Sequence, residues 1–473
     1  MLGWIEDHWF LLTLFAGYTV LLLHNASVGR RRTAGIRDYF VGGRKLGGLA
    51  VGVSFYATLA STNSYIGHAG KGYAWGVPWF ALAVLIVLFT VISWRFVGTH
   101  LQRYASRWDA LTLPDYLAMR FPDEHRPDGL RMASAVIIVF CSVLFLVAIF
   151  KGAGNLFERF FDIPYEGAVL LTLLIVVAYT SVGGFVSVVR TDVLQGVLML
   201  IGSVTMFYFV TEAAGGVGRI VELPERADTA HLFELNGGIA FAVLLGAALS
   251  GSLKLLVDPR QLSRFFALKD ESQVRVGLWV SAVGLIVVLG CLFPIGLYAH
   301  FLLDGVSDTD LVVPTLLAQG GVFPPMVADF LILAIVAAAM SSMDSVLLVA
   351  ASVLSRDLVL VRKPDLPAVP LTRLAVVGFA LVSGVIALKP PGGIIEMTIF
   401  SGSLYAVCFF PAIIFGLHRA RGSAAAVLAS MSAGVFVLLV WLASGLGDVL
   451  HEVFPSLLVS CAIYLLWSRR AAV

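Results

Sequence analysis

The sequence predicts an all-α polytopic membrane protein with thirteen spans. Three observations lead there. Of the 473 residues 59% are hydrophobic and only 13% charged, where an average soluble chain carries roughly 25% charge. Apolar runs of about 20 residues recur from end to end, enough to cross a hydrocarbon core about 30 Å thick. Basic residues also gather in alternate connections between those runs. Inside lipid the backbone finds partners only in helices or a closed barrel, and runs of this length are helical.

In order, the spans fall near 8–24, 47–72, 77–97, 130–150, 165–186, 190–212, 236–256, 275–300, 324–353, 371–388, 394–417, 424–443 and 449–467. The opening MLGWIEDHWF is acidic, so the first run reads as a span and not as a signal peptide. The connection near 98–129 is long enough for a short helix. That near 213–235 reads equally as an external helix or a solvated connector. Cys141, Cys291, Cys408 and Cys461 all lie in apolar spans without metal or disulfide spacing, which points to packing.

Orientation follows from charge. Arg30, Arg31, Arg32, Arg37, Arg44 and Lys45 follow the first span, and Arg95, Arg103, Arg107, Arg120, Arg126 and Arg131 flank the third. Arg260, Arg264, Lys269 and Arg275 follow the seventh. Arg356, Arg362, Lys363 and Arg373 follow the ninth; Arg419, Arg421, Arg469 and Arg470 complete the set. The intervening connections carry Glu222, Glu225, Asp228, Glu234, Asp304, Asp308 and Asp310 instead. The positive-inside rule puts the N-terminus outside and the C-terminus in the cytoplasm of a cell (inner) membrane protein. An odd number of spans puts the two ends on opposite faces, in agreement with this.

Polar residues at mid-membrane are costly and mark pathways or sites. Span two, VGVSFYATLASTNSYIGHAGKGYAWG, passes through Ser61, Thr62, Asn63 and Ser64 before Gly67, Gly70 and Gly72. Such a run suits a helix that unwinds and exposes carbonyl oxygens, or a glycine-rich packing face. In YTSVGGFVSVVRTDVLQG, Gly183–Gly184 breaks one helix and Asp192 lies in the first turn of the next. Asp192 there is either a favourable partner of the helix dipole or a carboxylate that attracts cations. In AAAMSSMDS, Ala338, Ser341, Ser342 and Ser345 share one helical stripe. Neutral hard oxygens of this kind suit a monovalent cation, since divalent sites recruit carboxylates. Alternatively each serine bonds back to its own helix. Asp344 points about 110° away from the stripe, toward another wall.

No HExxH, P-loop or paired-cysteine motif is present, and the histidines, among them His68 and His125, form no ligand cluster. No nucleophile–base pair argues for an enzyme.

These stretches resemble the sodium:solute symporter family, which includes bacterial proline, pantothenate and sialic acid transporters and the sodium–glucose cotransporters. The likeness runs from DYFVGGRKLGG, beginning at Asp38, to the C-terminus. It rests on the YTSVGGFVSVVRTDVLQG signature, the AAAMSSMDSVLL helix with SRDL after it, and DPRQLSRFFALKDESQ. FFPAIIFGLHRARGSAAAVLASMSAG fits as well. The resemblance implies a LeuT-type fold with two inverted five-helix repeats, 47–212 and 236–417. Residues 1–46 then form a first flanking helix and loop, and 424–473 two C-terminal flanking helices. It implies a sodium ion held by the carbonyls of Ala57, Ala60 and Ala338 and the hydroxyls of Ser341 and Ser342. Asp192 with Ser341 and Ser345 matches a second ion site of some members, but Asp344 stands where those members carry another serine. Asp192 would otherwise serve ion exit.

The resemblance places solute contacts on Ser61, Ser64, Lys254 and Asp258. Lys254 and Asp258, four apart, can simply pair with each other, the plainer reading. A free Lys254, or Lys151, would instead draw a carboxylate-bearing solute such as a monocarboxylate, an amino acid or a pantothenate-like acid. The expectation is secondary active symport by alternating access. The partners are a small organic solute, sodium and membrane lipid, with neither cofactor nor nucleic acid. A proton-coupled symporter, a transporter-derived sensor and a channel are the alternatives.

Overall fold

The computed structural model describes residues 8–123, 128–236, 239–418 and 422–470. Arg126, His125, Arg419 and Arg421 fall outside them, as do the first seven residues and the side chains of Tyr179, Ser181, Arg469 and Arg470. The described chain is helical, with α1 Trp9–Arg32, α2 Gly48–Leu59, α3 His68–Trp75 and α4 Phe80–Ile92. There follow α5 Gly129–Phe161, α6 Tyr165–Ala213, α7 Phe241–Leu253, α8 Pro259–Ala267 and α9 Ser272–Leu292. The series ends with α10 Pro325–Val353, α11 Ala368–Ala387, α12 Ile394–Phe410, α13 Ala424–Ala443 and α14 Val453–Arg470.

Ten helical stretches are long and apolar enough to cross a membrane. Three of the thirteen expected spans lie instead on shorter apolar helices, Gly48–Leu59, Tyr165–Val177 and Val453–Ser468. In the first of these a backbone break interrupts the run at Ala60–Ser61; the second continues as helix to a kink at Gly184.

The break in span two falls at Ala60–Ser61. Ala60 is extended (φ −74°, ψ 101°), and the chain resumes through a π turn, Asn63–Gly67, before α3. A π turn is rare and often sits at a functional site. The glycines expected to favour unwinding lie in the helical part. A Cβ on Gly70 would come within 2.1 Å of the Thr309 carbonyl oxygen, so glycine there permits close packing. Both readings of this stretch therefore hold, at different residues.

A second break falls at the end of the expected seventh span. A short turn, Lys254–Leu256, leads to extended Asp258, which caps α8 by accepting from the Arg260 amide at 2.9 Å. Pro259 fits at N1 because no donor is needed there. In α6 the kink is at Gly184 (φ 64°, ψ −172°), a conformation accessible essentially to glycine alone. Gly184→Ala should cost about 1–3 kcal/mol, lowering the thermal unfolding midpoint in detergent. Gly378→Ala, where a Cβ meets open space, should leave it unchanged.

α10 is the centre of the bundle: every residue of its most apolar window is buried. It packs against α6, α5 and α2, while α6 also packs against α1. The connection near 213–235 forms 3-10 turns, Val217–Glu225 and Ala230–Phe233, whose Leu223 and Leu232 bury against Leu297. A short helix, Val312–Ala318, not expected from sequence, sits in the connection before α10.

Candidate functional site

The break in span two redirects backbone hydrogen bonds. The Ser64 amide donates to Ser61 O at 2.9 Å and the Asn63 amide to Ser61 Oγ at 3.1 Å. A continuing helix would have sent those two donors to Ala60 O and Leu59 O, so these carbonyls are released from the ladder. Among the described residues no backbone bond closes the Ala57 carbonyl across the break either.

α10 meets this break with its serine stripe. Ser342 Oγ donates to Thr58 O at 2.9 Å, and Ser341 Oγ donates to Asp192 Oδ1 at 2.7 Å. Ser345 Oγ lies 3.0 Å from Thr58 Oγ1. All three hydroxyls reach other helices, so none follows the back-bonding alternative. Because their hydrogens point at Thr58 O and Asp192, the lone pairs of Ser342 and Ser341 stay available to a cation. Ala338 lies one turn before Ser342 on the same stripe. Ala57, Ala60, Ala338, Ser341 and Ser342 are all fully buried. Asp344 faces a different wall, as its helical phase implied: Thr180 Oγ1 of α6 donates to it at 2.5 Å.

Asp192 is 0% exposed and lies within the bundle, not merely at a helix start. Its Oδ2 accepts from Ser54 Oγ at 2.5 Å and from Arg264 Nη2 at 3.1 Å. Arg264 counts among the connection arginines in the charge pattern, yet it is 0% exposed. α8 folds back into the bundle and carries Arg260 and Arg264 inward. That correction to the expected loop has a physical basis: each guanidinium finds a buried carboxylate, Asp258 for Arg260 and Asp192 for Arg264.

The plainer reading of Lys254 and Asp258 is replaced by this arrangement. The Asp258 carboxylate is held by Arg260 through its Nε and Nη2, and it caps α8. The Arg260 guanidinium in turn lies 3.7 Å above the Phe145 ring. Asp258 is thereby engaged away from any solute. No ion pair or hydrogen bond to the Lys254 ammonium is found among the described residues, and it stands over the Phe145 ring at 5.7 Å. Lys151 is not free: its ammonium pairs with Asp310 at 2.7 Å.

Lys254 lines a closed cavity between the two broken helices with Asn63, Ser64, His68 and Thr398. Its free volume is about 20 Å³, room for about one water molecule. Phe145 and Leu289 supply apolar walls, and His68 stacks on Phe293 with ring centroids 4.7 Å apart. Asn63 Oδ1 and His68 Nδ1 are buried without a hydrogen-bond partner among the described residues. A concave site with apolar walls and a few convergent polar groups is the usual form of a small-molecule site. Of the solute candidates, Ser64 and Lys254 line it. Ser61 does not; its hydroxyl and carbonyl stabilise the break. Asn63, His68 and Thr398 escaped sequence reasoning, although Asn63 and His68 stand inside the polar stretch of span two.

Two groups of ion pairs lie at opposite ends of the bundle. At one, Lys71 meets Glu396 at 2.6 Å, and Asp310 takes both Lys151 and the Ile394 amide. At the other, buried Asp115 binds Arg131 and Arg356, each at 2.8 Å, and Thr112 donates to Asp357 at 2.7 Å.

The profile of the sodium:solute symporter family matches residues 39–434. The osmoregulated proline transporter OpuE of Bacillus subtilis is 29% identical over 445 residues, 91% of this chain and 88% of that protein. The sodium/pantothenate symporter of Escherichia coli K12 is 29% identical over 482 residues, 97% of this chain and 96% of its own. Among solved structures, a Na+-coupled sialic acid symporter in a substrate-bound outward-open state superposes with a TM-score of 0.80. At 18% identity over 97% of this chain and 98% of that one, the likeness speaks for the fold.

Proposed function

The chain belongs to the sodium:solute symporter family, and from that premise we propose that it carries a small carboxylate-bearing solute into the cell together with sodium. It is a multi-pass membrane transporter of LeuT-like fold and not an enzyme. Within this reading the N-terminus is outside, the C-terminus is cytoplasmic, and thirteen segments cross the membrane. The repeats 47–212 and 236–417 rock against each other between the flanking segments 1–46 and 424–473.

The observation that carries the solute class is the unpaired Lys254 ammonium in the cavity between the broken helices. A buried charge without an opposite charge is expensive, and a carboxylate is the partner that relieves it. Ser64 and Asn63 supply further polar contacts, and the apolar walls accept a short hydrocarbon part.

Sodium is taken by the carbonyls of Ala57, Ala60 and Ala338 and the hydroxyls of Ser341 and Ser342. Their placement on α2 and α10 makes the ion a tie between the two. A ligand shifts a conformational equilibrium only by its differential affinity for the two states. Sodium therefore favours the state in which α2 and α10 stand at liganding distance. One elementary charge moving across 100 mV is worth about 2.3 kcal/mol, a contribution open to a zwitterionic amino acid; a monocarboxylate anion cancels the charge of the ion, and the sodium concentration gradient alone then drives uptake. The ion pairs at Lys71–Glu396 and Lys151–Asp310 close the outer end, and those around Asp115 the inner end.

Uptake into proteoliposomes, with sodium and proton gradients imposed separately, tests the coupling. A sodium gradient alone should drive accumulation of at least one labelled short carboxylate, and a panel of carboxylates should compete. Accumulation driven only by protons, or competition only by neutral sugars, would sink this reading.

A further inference from the structure

We propose that Arg264 is a tethered cation whose guanidinium fills the position a second alkali ion would take, so that one sodium moves with each solute. This inference rests on the sodium-coupled reading above and goes beyond it, fixing the ion count.

Four oxygens from three helices surround the guanidinium. Its Nη2 donates to Thr58 Oγ1 at 2.6 Å, Ser345 Oγ at 2.5 Å and Asp192 Oδ2 at 3.1 Å; its Nε donates to Ser54 Oγ at 3.2 Å. Ser54 and Thr58 belong to α2, Asp192 to α6 and Ser345 to α10. Three hydroxyls and one carboxylate form the hard-oxygen set that a monovalent cation takes. The remaining nitrogen, Nη1, is anchored on α8 itself, donating to Arg260 O at 2.9 Å and Ser263 Oγ at 3.2 Å. All three guanidinium nitrogens are thereby engaged, and the planar fork has a fixed place.

Charge leads to the same conclusion. Among the described residues at this cage Asp192 is the only carboxylate, and Arg264 neutralises it. The neighbouring Arg260 is already matched by Asp258. The other buried carboxylate nearby, Asp344, is turned to Thr180 on α6 and is not one of the cage oxygens, so the charge of the cage itself is balanced. A sodium ion placed about 4 Å from the guanidinium, at an effective dielectric constant of about 20, would bind roughly a thousandfold more weakly than in its absence. The first ion, between the Ala57 and Ala60 carbonyls and the α10 hydroxyls, uses neutral oxygens and none of the four that surround the guanidinium. Ser341 touches Asp192 from the other side, through Oδ1. Removing Arg264 should therefore open a second site and leave the first in place.

The test is binding of 22Na+ to the purified full chain, with the sodium-to-solute ratio measured in proteoliposomes. The wild type should bind one sodium per chain, and Arg264→Gln two, the second within about tenfold of the first in affinity. Arg264→Gln combined with Asp192→Asn should return the count to one. A wild type that binds or transports two sodium ions per solute overturns the proposal, and this count decides even where Arg264→Gln does not fold. An Arg264→Gln protein that binds no more sodium than the wild type overturns it as well. A wild type that binds no sodium refutes the coupling reading instead. The cage is then judged by whether Arg264→Gln gains a site the wild type lacks.

Discussion

Sodium-driven uptake is expected to fall to background in the Ser341→Ala, Ser342→Ala double variant. In the proposed ion site each hydroxyl would contribute one oxygen, a contact comparable to a hydrogen bond with a charged group at about 1.5–3 kcal/mol. Losing both should weaken sodium binding by roughly a hundredfold or more. The same change removes the donors that Ser342 gives to Thr58 O and Ser341 gives to Asp192. Part of the effect will therefore reach stability, since a buried acceptor left without a donor costs about 1–3 kcal/mol. The thermal unfolding midpoint of the double variant separates the two contributions. The Ser341→Thr, Ser342→Thr pair keeps both hydroxyls and should retain measurable sodium dependence. Unchanged 22Na+ affinity in the alanine pair would remove these serines from the ion site.

That site was legible because its parts are local. A hydroxyl stripe at helical spacing on an otherwise apolar segment has few uses, and STNS in mid-span announces a backbone break. Asp344 also faces where its helical phase puts it. What stayed hidden depends on distant partners. Arg264 is 72 residues from Asp192 in the chain, a separation over which periodicity carries nothing. In sequence it resembles any arginine after a span. Asp258 looked like a partner for Lys254 because a continuous helix puts i and i+4 on one face. Pro259 instead starts a new helix there, and the carboxylate turns to Arg260. The break in that span could have been read from the Asp-Pro pair. Ten stretches are long and apolar enough to cross a membrane, against thirteen expected, and span two is one whose run is cut by a backbone break.

Replacing Lys254 by methionine tests the solute class most directly. Methionine keeps the length and apolar stem and removes the ammonium, so packing against Phe145 should survive. The charge-assisted contact with a carboxylate, about 1.5–3 kcal/mol, would be lost, raising KM for the carboxylate by roughly tenfold to over a hundredfold. Sodium binding should change little, because the ion ligands lie on α2 and α10 and not around this side chain. A second readout is charge movement. Under the proposed one-sodium coupling, a monocarboxylate anion would enter the wild type with no net charge, so its uptake should respond weakly to membrane potential. A neutral amide analogue of the solute, poorly carried by the wild type, should gain relative to the carboxylate in Lys254→Met, and its entry with sodium should be electrogenic. Equal KM for the carboxylate in wild type and Lys254→Met would show that the ammonium does not hold it. The cavity would then have to recognise its solute through Asn63, Ser64, His68 and Thr398 alone, a set that favours a neutral, hydrogen-bonding molecule.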